Sequence, residues 1–196
     1  MSGKKAFTIS QWTVLEAWKR IKANKGAAGI DDVSIEQYEQ NLKMNLYKLW
    51  NRMSSGSYFP KAVLGVEIPK KSGGKRLLGI PTVEDRIAQM VVRMLFEPQV
   101  EAIFHDNSYG YRPKRSAIDA VGLTRKRCWK YDWVIELDIK GLFDNIDHEL
   151  LMQVVRKHAN EKWEVLYIER WLTASILLPN GELKERMKGT PQRWGH

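Results

Sequence analysis

The sequence is poor in cysteine and has no long apolar run. Cys128 is the only cysteine among 196 residues, which excludes an internal disulfide framework and a cysteine-rich zinc site and is typical of a reducing compartment. No stretch approaches the roughly 18 uninterrupted apolar residues of a membrane span. The first ten residues, MSGKKAFTIS, lack the apolar core of a signal peptide. We therefore expect a cytoplasmic protein with no membrane partner.

Acidic residues are also in deficit. The chain has 23 Asp and Glu against 32 Lys and Arg, a formal net charge of +9. A basic surface attracts phosphate backbones through counterion release, so the charge favours a nucleic-acid partner over an acidic membrane. The alternative is that the excess lysine only keeps the protein soluble. Hydrophobic residues make up 43% of the chain, enough to bury the core of one domain or of two small ones.

Apolar periodicity predicts several helices. Apolar residues recur at helical spacing over residues 10–24, and Ser34 with Gln37 forms a capping-box pattern before a second helix whose apolar face extends to Met53. Thr82 is placed to cap a long third helix, which we expect to break near Pro98 because proline has no amide donor. Two later helices are predicted over residues 148–158 and 161–173.

Other segments have the pattern of strands. KAVLGVEIP alternates apolar and other residues, and KSGG then turns the chain into RLLGI, which predicts a hairpin with a basic tip. A second hairpin is predicted about Pro179, Asn180 and Gly181. Residues 134–137 form a short apolar run suited to a buried strand, with Asp138 at its end. Helices mixed with antiparallel hairpins predict an α+β fold.

Three carboxylates stand close together in this basic chain: Asp138, Asp144 and Asp147. A carboxylate at the end of a buried strand is costly to desolvate unless it is paired or binds a cation. Mg²⁺ suits such a site, because it takes a few carboxylates together with phosphate oxygens. The alternative is structural, with Asp147 capping the helix that begins at His148 and Asp144 stabilising a turn.

The sequence around these three acids strengthens the metal-binding interpretation. LDIKGLFDNIDH resembles the first palm motif of the reverse transcriptases encoded by bacterial group II introns. The resemblance implies that Asp138 binds both catalytic Mg²⁺ ions, that the backbone carbonyl of Ile139 assists, and that Phe143 lies under the incoming sugar and excludes a 2′-hydroxyl. The alternative for Phe143 is an ordinary core aromatic.

Four further segments resemble motifs of the same family, in the same order. They are NKGAAGID (residues 24–31), the N-terminal extension motif; IPKKSGGKRLLGIPTVEDRIAQ (68–89), the fingers hairpin; SYGYRPKRSAIDAV (108–121), the insertion after the long helix; and TPQ (190–192). The resemblance implies helical fingers with a β-hairpin over residues 1–85 and an incomplete palm, with the basic insertion and a returning fingers hairpin, over 86–192.

The same resemblance implies ligand-binding residues outside the palm motif. Lys70 and Arg76 flank the glycine turn and would bind the dNTP triphosphate, and Gln192 would contact the bound nucleotide; a solvated basic hairpin tip is the alternative for this turn. Three cations of the insertion would bind RNA phosphates: Arg112, Lys114 and Arg115. Tyr109 and Tyr111 either stack on bases or pack the loop.

The chain departs from the family after TPQ. The family continues with glycines, an apolar helix and a Tyr-Ala-Asp-Asp hairpin that supplies further metal-binding carboxylates, whereas here RWGH follows, and we interpret residues 193–196 as a frameshift product of a longer gene. One carboxylate cannot offset the repulsion between two Mg²⁺ ions. The resemblance thus implies a fragment of an RNA-directed DNA polymerase that binds intron or template RNA, primer DNA and dNTPs with Mg²⁺ but is inactive alone. The alternatives are a non-catalytic RNA-binding module and a piece that complements a separately encoded C-terminal remainder.

Overall fold

The computed structural model describes residues 5–69 and 73–190. The elements in chain order are α1 (Gln11–Asn24), α2 (Ile35–Gln40), α3 (Leu42–Ser55), β1 (Val63–Pro69), β2 (Lys75–Ile80), α4 (Val83–Glu101), α5 (Ala117–Cys128), α6 (Leu142–Asn145), α7 (His148–His158), α8 (Lys162–Thr173), β3 (Ile176–Leu177) and β4 (Leu183–Lys184). The structure combines helices with one small sheet, which confirms the predicted α+β class.

Local sequence signals set most helix starts. The hydroxyl of Ser34 accepts from the backbone N–H of Gln37, whose side chain accepts in return from the backbone N–H of Ser34, so the predicted capping box is confirmed. Thr82 caps α4 by accepting from the N–H of Asp85. Asp147 caps α7 by accepting from the N–H of Leu150 at 2.9 Å, so the structural alternative for this acid is confirmed.

Two helix predictions were wrong in detail. The second predicted helix is divided, because Asn41 has φ −121° and ψ 37°, outside the helical region, and separates α2 from α3. Helix α4 was expected to break at Pro98 but continues to Glu101. A proline removes only its own N–H from the ladder, and in α4 it lies in the last turn, beyond the buried stretch that holds the helix.

Both predicted hairpins are present and belong to one four-stranded sheet of order β2-β1-β3-β4. β1 pairs with β2 in antiparallel register, with Ile68 opposite Arg76 and Pro69 opposite Lys75. β1 also pairs in parallel with β3, which forms the second hairpin with β4. Gly65 permits the close contact between the hairpins, since a Cβ there would lie 2.7 Å from the carbonyl oxygen of Leu177.

The main core joins α1, α3, α4 and α8. Its largest buried side chains come from Tyr58, Trp163 and Tyr167. The rings of Tyr58 and Tyr167 meet edge to face at 5.4 Å between centroids, and the Tyr167 hydroxyl donates to the carbonyl of Met53, so α8 is tied to α3 although 114 residues separate these partners. The core thereby packs α1, α3, α4 and α8 against one another.

The predicted buried strand at residues 134–137 was wrong. The segment has no strand assignment, and Leu137 is 90% exposed. A strand needs a neighbour to satisfy its backbone groups, and in the described part of the chain no strand pairs with this segment. Asp138 is consequently exposed, so the argument that burial would force this carboxylate to bind a cation does not hold here.

Candidate active site

One open surface concavity of about 420 Å³ gathers the residues of the palm motif. Asp138, Ile139 and Phe143 line it, together with Leu137, Gly141, Leu142 and Asp144. Phe143 is 49% exposed, so its ring is not a buried core aromatic. The three predicted residues therefore share one surface that is open to a ligand.

Gly141 produces the sharp turn between Asp138 and Phe143. It adopts φ +64° at the N-terminus of α6, a conformation that favours glycine, and its carbonyl accepts from the side-chain amide of Asn145 at 3.0 Å. A Cβ at this position would lie 3.0 Å from that amide nitrogen. Phe143, two residues after this turn, lines the same concavity as Asp138.

The segment 188–190 packs along α6 and the start of α7. Thr190 donates its N–H to the carbonyl of Phe143 at 2.7 Å, and Gly189 donates to the carbonyl of Ile146 at 2.8 Å. A Cβ at Gly189 would lie 2.7 Å from the carbonyl oxygen of Asp144, so only glycine allows this approach. The beginning of the TPQ motif is thus hydrogen-bonded to the palm motif, while Gln192 lies outside the described residues.

Residues that the sequence did not single out secure this contact. A ring nitrogen of His148 lies 2.7 Å from the carbonyl oxygen of Gly189, and Lys188 donates to the side-chain oxygen of Asn145 at 3.0 Å. Asp147 and Lys188 also form an isolated antiparallel bridge. No sequence signal pairs positions that are more than forty residues apart, which is why these contacts escaped prediction.

The described carboxylates do not by themselves form a metal centre. Among residues 5–69 and 73–190, no group of three or more His, Cys, Asp or Glu side chains is arranged to hold a metal ion. The remaining positions contribute no Asp or Glu at all, since they read MSGK, KKS and PQRWGH. Two Mg²⁺ ions need several oxygen ligands to offset their mutual repulsion. The residues of this chain therefore do not fit a two-ion site without further ligands.

The hairpin tip lies at the end of β1 and β2. Gly73 and Gly74 adopt φ +88° and +79°, as the predicted glycine turn requires. Arg76 is exposed opposite Ile68, and the ammonium of Lys75 pairs with Glu67 at 2.6 Å. Lys70, the other predicted triphosphate ligand, lies outside the described residues. The structure thus leaves Arg76 accessible and engages Lys75 within the hairpin.

Of the three cations predicted to contact RNA, Arg112 is placed differently from the other two. Its side chain is only 7% exposed and pairs with Glu101, and its Nη1 donates to the carbonyls of His105 and Ser108 at 2.8 and 2.9 Å. These bonds turn the guanidinium toward its own chain. Lys114 is exposed, and Arg115 is partly exposed with its guanidinium 5.5 Å from the Tyr109 ring centre. Tyr109 thus contacts a neighbouring cation of the loop, and whether it also stacks on bases stays a prediction.

The helix that follows is basic and exposed. Ser116 and Asp119 cap α5 reciprocally, so the single acid between residues 112 and 130 is used in the cap. Within the described range 73–190, no residue of α5 is buried. Its last turn contains Arg125, Lys126 and Arg127. Cations near the C-terminus of a helix interact favourably with the helix dipole. The basic last turn of α5 can therefore stabilise the helix and can also bind an anionic ligand.

The NKGAAGID segment is fixed against the start of α4. The guanidinium of Arg86 donates to the carbonyl of Ala27 at 2.8 Å and to that of Lys25 at 3.3 Å. Gly29 is buried, and a Cβ there would lie 2.7 Å from the Cα of Thr82. Arg86 is a positioning residue that the sequence did not reveal, although its place in the VEDRIAQ motif was a possible signal.

The sequence of this chain is similar to those of known proteins. The model of the family described as reverse transcriptase (RNA-dependent DNA polymerase) matches residues 68–194. The chain is 34% identical over 180 residues to the group II intron-encoded protein LtrA of Lactococcus lactis subsp. cremoris, covering 90% of this chain and 29% of LtrA. It is 38% identical over 192 residues to protein YkfC of Escherichia coli K12, covering 94% of this chain and 50% of YkfC.

A solved structure supports the fold. The chain superposes on part of the Cas6-RT-Cas1–Cas2 complex with a TM-score of 0.56 and 24% sequence identity, covering 93% of this chain and 19% of that one. At this identity the likeness concerns the fold alone. The chain spans half or less of the length of the two curated relatives described above. Among the described helices, none combines the length and the hydropathy of a membrane-spanning segment.

Proposed function

The chain belongs to the reverse transcriptase (RNA-dependent DNA polymerase) family, and from this premise we propose that it acts as the fingers and first part of the palm of a group II intron-type enzyme. Residues 1–85 would form the fingers and 86–192 the partial palm. In this role the chain binds intron or template RNA, a DNA primer and a dNTP. The observation that best supports the proposal is the single concavity shared by Asp138, Ile139 and Phe143.

Each predicted residue has a specific task in this proposal. Asp138 and the carbonyl of Ile139 would supply oxygen ligands to Mg²⁺, which would offset negative charge on the triphosphate. The ring of Phe143 would lie against the sugar of the incoming nucleotide. Gln192 would contact that nucleotide from the segment that Thr190 anchors to Phe143. Lys70 and Arg76 would bind the triphosphate from the hairpin tip.

We further propose that this chain alone does not extend a primer. Its described carboxylates form no cluster suited to a metal ion, and the other positions contain no carboxylate side chain. A further palm segment that carries the remaining carboxylates, in the same or in a second polypeptide, would have to complete the site. Such a remainder would also offer strands to the exposed 134–137 segment.

Primer extension tests this proposal directly. The purified chain, an RNA template with an annealed DNA primer, dNTPs and Mg²⁺ should give no extension product. Addition of a polypeptide with the rest of a family palm should restore extension, and Asp138→Ala should abolish the restored activity, whereas Asp106→Ala, a change at an exposed loop acid, should not. Extension by the chain alone that is lost in Asp138→Ala would contradict the proposal.

A second candidate function is non-catalytic RNA binding. The observation that favours it is α5, which buries no residue within the described range and has three consecutive cations in its last turn. Electrostatic binding of RNA needs no metal pair and weakens steeply as salt rises. Binding of a fluorescent RNA that persists in EDTA, combined with no restored extension on addition of a palm remainder, would favour this function over the first.

A further inference from the structure

Tyr111 is held in an unusual position on the surface. Its side chain is 88% exposed, and its backbone has φ +55°, in the left-handed region that bulky residues rarely adopt. An exposed ring does not stabilise this conformation through its own packing. The surrounding loop must therefore impose it, and a residue kept in such a conformation calls for an explanation in terms of function.

The loop of residues 105–115 is hydrogen-bonded in a way that can hold Tyr111 at its positive φ. Arg112, the neighbour of Tyr111, forms five hydrogen bonds, to Glu101 and to the carbonyls of His105 and Ser108. At the other end of the loop, Arg127 of α5 donates to the side-chain oxygen of Asn107 at 2.9 Å. These bonds connect the loop to α4 and α5, so the ring of Tyr111 is presented to solvent from a rigid support.

Lys114 and Arg115 follow Tyr111 within four positions of the chain. Lys114 is exposed and also has a positive φ, of 58°, and Arg115 follows it. The guanidinium of Arg115, whose side chain is 32% exposed, lies 3.8 Å from the 97% exposed carboxylate of Asp106, and an ion pair at that distance with one partner in solvent is weak enough to leave Arg115 available to a phosphate. The other acid of this region, Asp119, is engaged in the cap of α5. Lys114 and Arg115 therefore leave the segment that follows Tyr111 positively charged.

We propose that Tyr111 is a stacking platform for an unpaired base of single-stranded RNA, with Lys114 and Arg115 binding the adjacent phosphates. An exposed aromatic face beside cations is the arrangement that proteins use for single strands, because every base has a face that can stack. In a duplex the bases are stacked on each other and their faces are covered. The inference rests on the proposed function, since it specifies which form of RNA this chain binds.

The test compares Tyr111→Asn with the unchanged chain, using a short fluorescent single-stranded RNA and the same sequence as a duplex. Asparagine tolerates positive φ and removes the ring, so the loop should keep its shape. Tyr111→Asn should weaken single-strand binding about tenfold or more and leave duplex binding unchanged, while Tyr111→Phe should bind like the unchanged chain. Tyr47→Asn, which removes a half-exposed ring from α3, is the matched control and should have no effect.

The outcomes separate this inference from the function on which it rests. If the unchanged chain binds neither RNA at low salt, the proposed function fails. If it binds RNA and Tyr111→Asn binds the single strand equally well, or loses both RNAs equally, only the stacking role is wrong. Tyr111→Gly, in which glycine adopts the positive φ without strain, provides a second ring deletion, and full single-strand affinity in that variant would overturn the proposal.

Discussion

Arg112 and Glu101 form a bidentate ion pair that closes the loop of residues 105–115 onto the end of α4. The Nε atom of Arg112 lies 3.0 and 3.2 Å from the two carboxylate oxygens of Glu101, and Nη2 lies 2.7 Å from one of them. The hydrogen bonds from Arg112 lower the pKa of Glu101, and the same bonds raise the pKa of the Arg112 guanidinium. A residue that the motif marks as an RNA ligand is thus a support for its neighbours.

Glu101→Gln should loosen this loop. A neutral amide removes the charge that strengthens these hydrogen bonds and replaces one acceptor oxygen by an NH₂ donor, so amide hydrogen exchange should accelerate in residues 105–115 and remain unchanged in the core helices. Glu97→Gln is the control on the same helix, because Glu97 pairs only with Arg93 one turn away. Equal exchange in the loop of both variants would show that the pair does not order it.

The same pair predicts a pH dependence. The folded pKa of Glu101 lies below its ordinary value of 4.5, so the stabilisation is fully present above that value and is lost as the pH falls through the lower folded pKa. The difference in Tm between the unchanged chain and Glu101→Gln should therefore be present at neutral pH and disappear in acid. A difference that stays constant down to the acid range would contradict this assignment.

Asp85 is a buried carboxylate on which three donors converge. It accepts from the hydroxyl of Tyr58, from the Thr82 hydroxyl at 2.7 Å and from the Lys61 N–H at 3.3 Å, and burial raises its pKa. Asp85→Asn removes the buried charge but turns an amide NH₂ toward a donor. The donor left without an acceptor should outweigh the removal of the buried charge. We therefore expect the free energy of unfolding to fall by about 1–3 kcal/mol.

Urea denaturation at neutral pH measures this loss. Asp106→Asn, at a carboxylate that is 97% exposed, is the control and should change the free energy of unfolding by less than about 0.5 kcal/mol. If Asp85→Asn is as stable as the unchanged chain, relief of the buried charge outweighs the lost acceptor. The network would then not be needed to anchor α4.

Gly29 and Gly122 should respond to alanine in opposite directions. A Cβ at Gly29 would lie 2.7 Å from the backbone of Thr82, whereas at Gly122 in α5 no described atom outside the helix lies within 4 Å. Gly29→Ala should cost about 1–3 kcal/mol through overpacking. Gly122→Ala should add about 0.5–1 kcal/mol, because alanine loses less backbone entropy in a helix. Thermal unfolding of both variants gives the comparison, and stabilisation by Gly29→Ala would contradict the close contact.

Ile135→Ser tests the exposed state of the 134–137 segment. Ile135 is 84% exposed, so the substitution should change the free energy of unfolding by less than about 0.5 kcal/mol. Because exposed apolar strand-like segments promote association, the variant should also self-associate less, as measured by light scattering. A loss of more than about 2 kcal/mol would show that this residue is packed in a core.

Several parts of the fold could be predicted from particular residues. The Ser34 capping box, the Thr82 cap and the glycine turn at Gly73 and Gly74 depend on atoms a few residues apart, and all three are present. The grouping of Asp138 with Phe143 could also be predicted, since five positions and one tight turn separate them. Whether they bind nucleotide and metal stays a prediction.

Other features of the structure depend on contacts between distant residues, which the local sequence pattern does not specify. The run at residues 134–137 has the composition of a strand, but no described strand lies beside it, and an isolated extended segment gains no interstrand hydrogen bonds to offset its loss of entropy. Arg112 has the sequence context of an RNA ligand, but Glu101 and two carbonyls surround its guanidinium. In both cases distant neighbours decided the local structure, and whether Arg112 also contacts RNA stays a prediction.

The amino-acid sequence by itself indicated the family through the resemblance of its motifs, and it predicted the α+β class and the starts of α1, α2, α4, α7 and α8, because caps, turns and apolar periodicity act between residues close in the chain. Helices α5 and α6 were not predicted. The tertiary structure alone decided which cations remain accessible, whether the run before Asp138 becomes a strand, and how Thr190 meets Phe143. Those properties depend on hydrogen bonds and ion pairs between distant segments. Such bonds form only when the core has already brought the segments together.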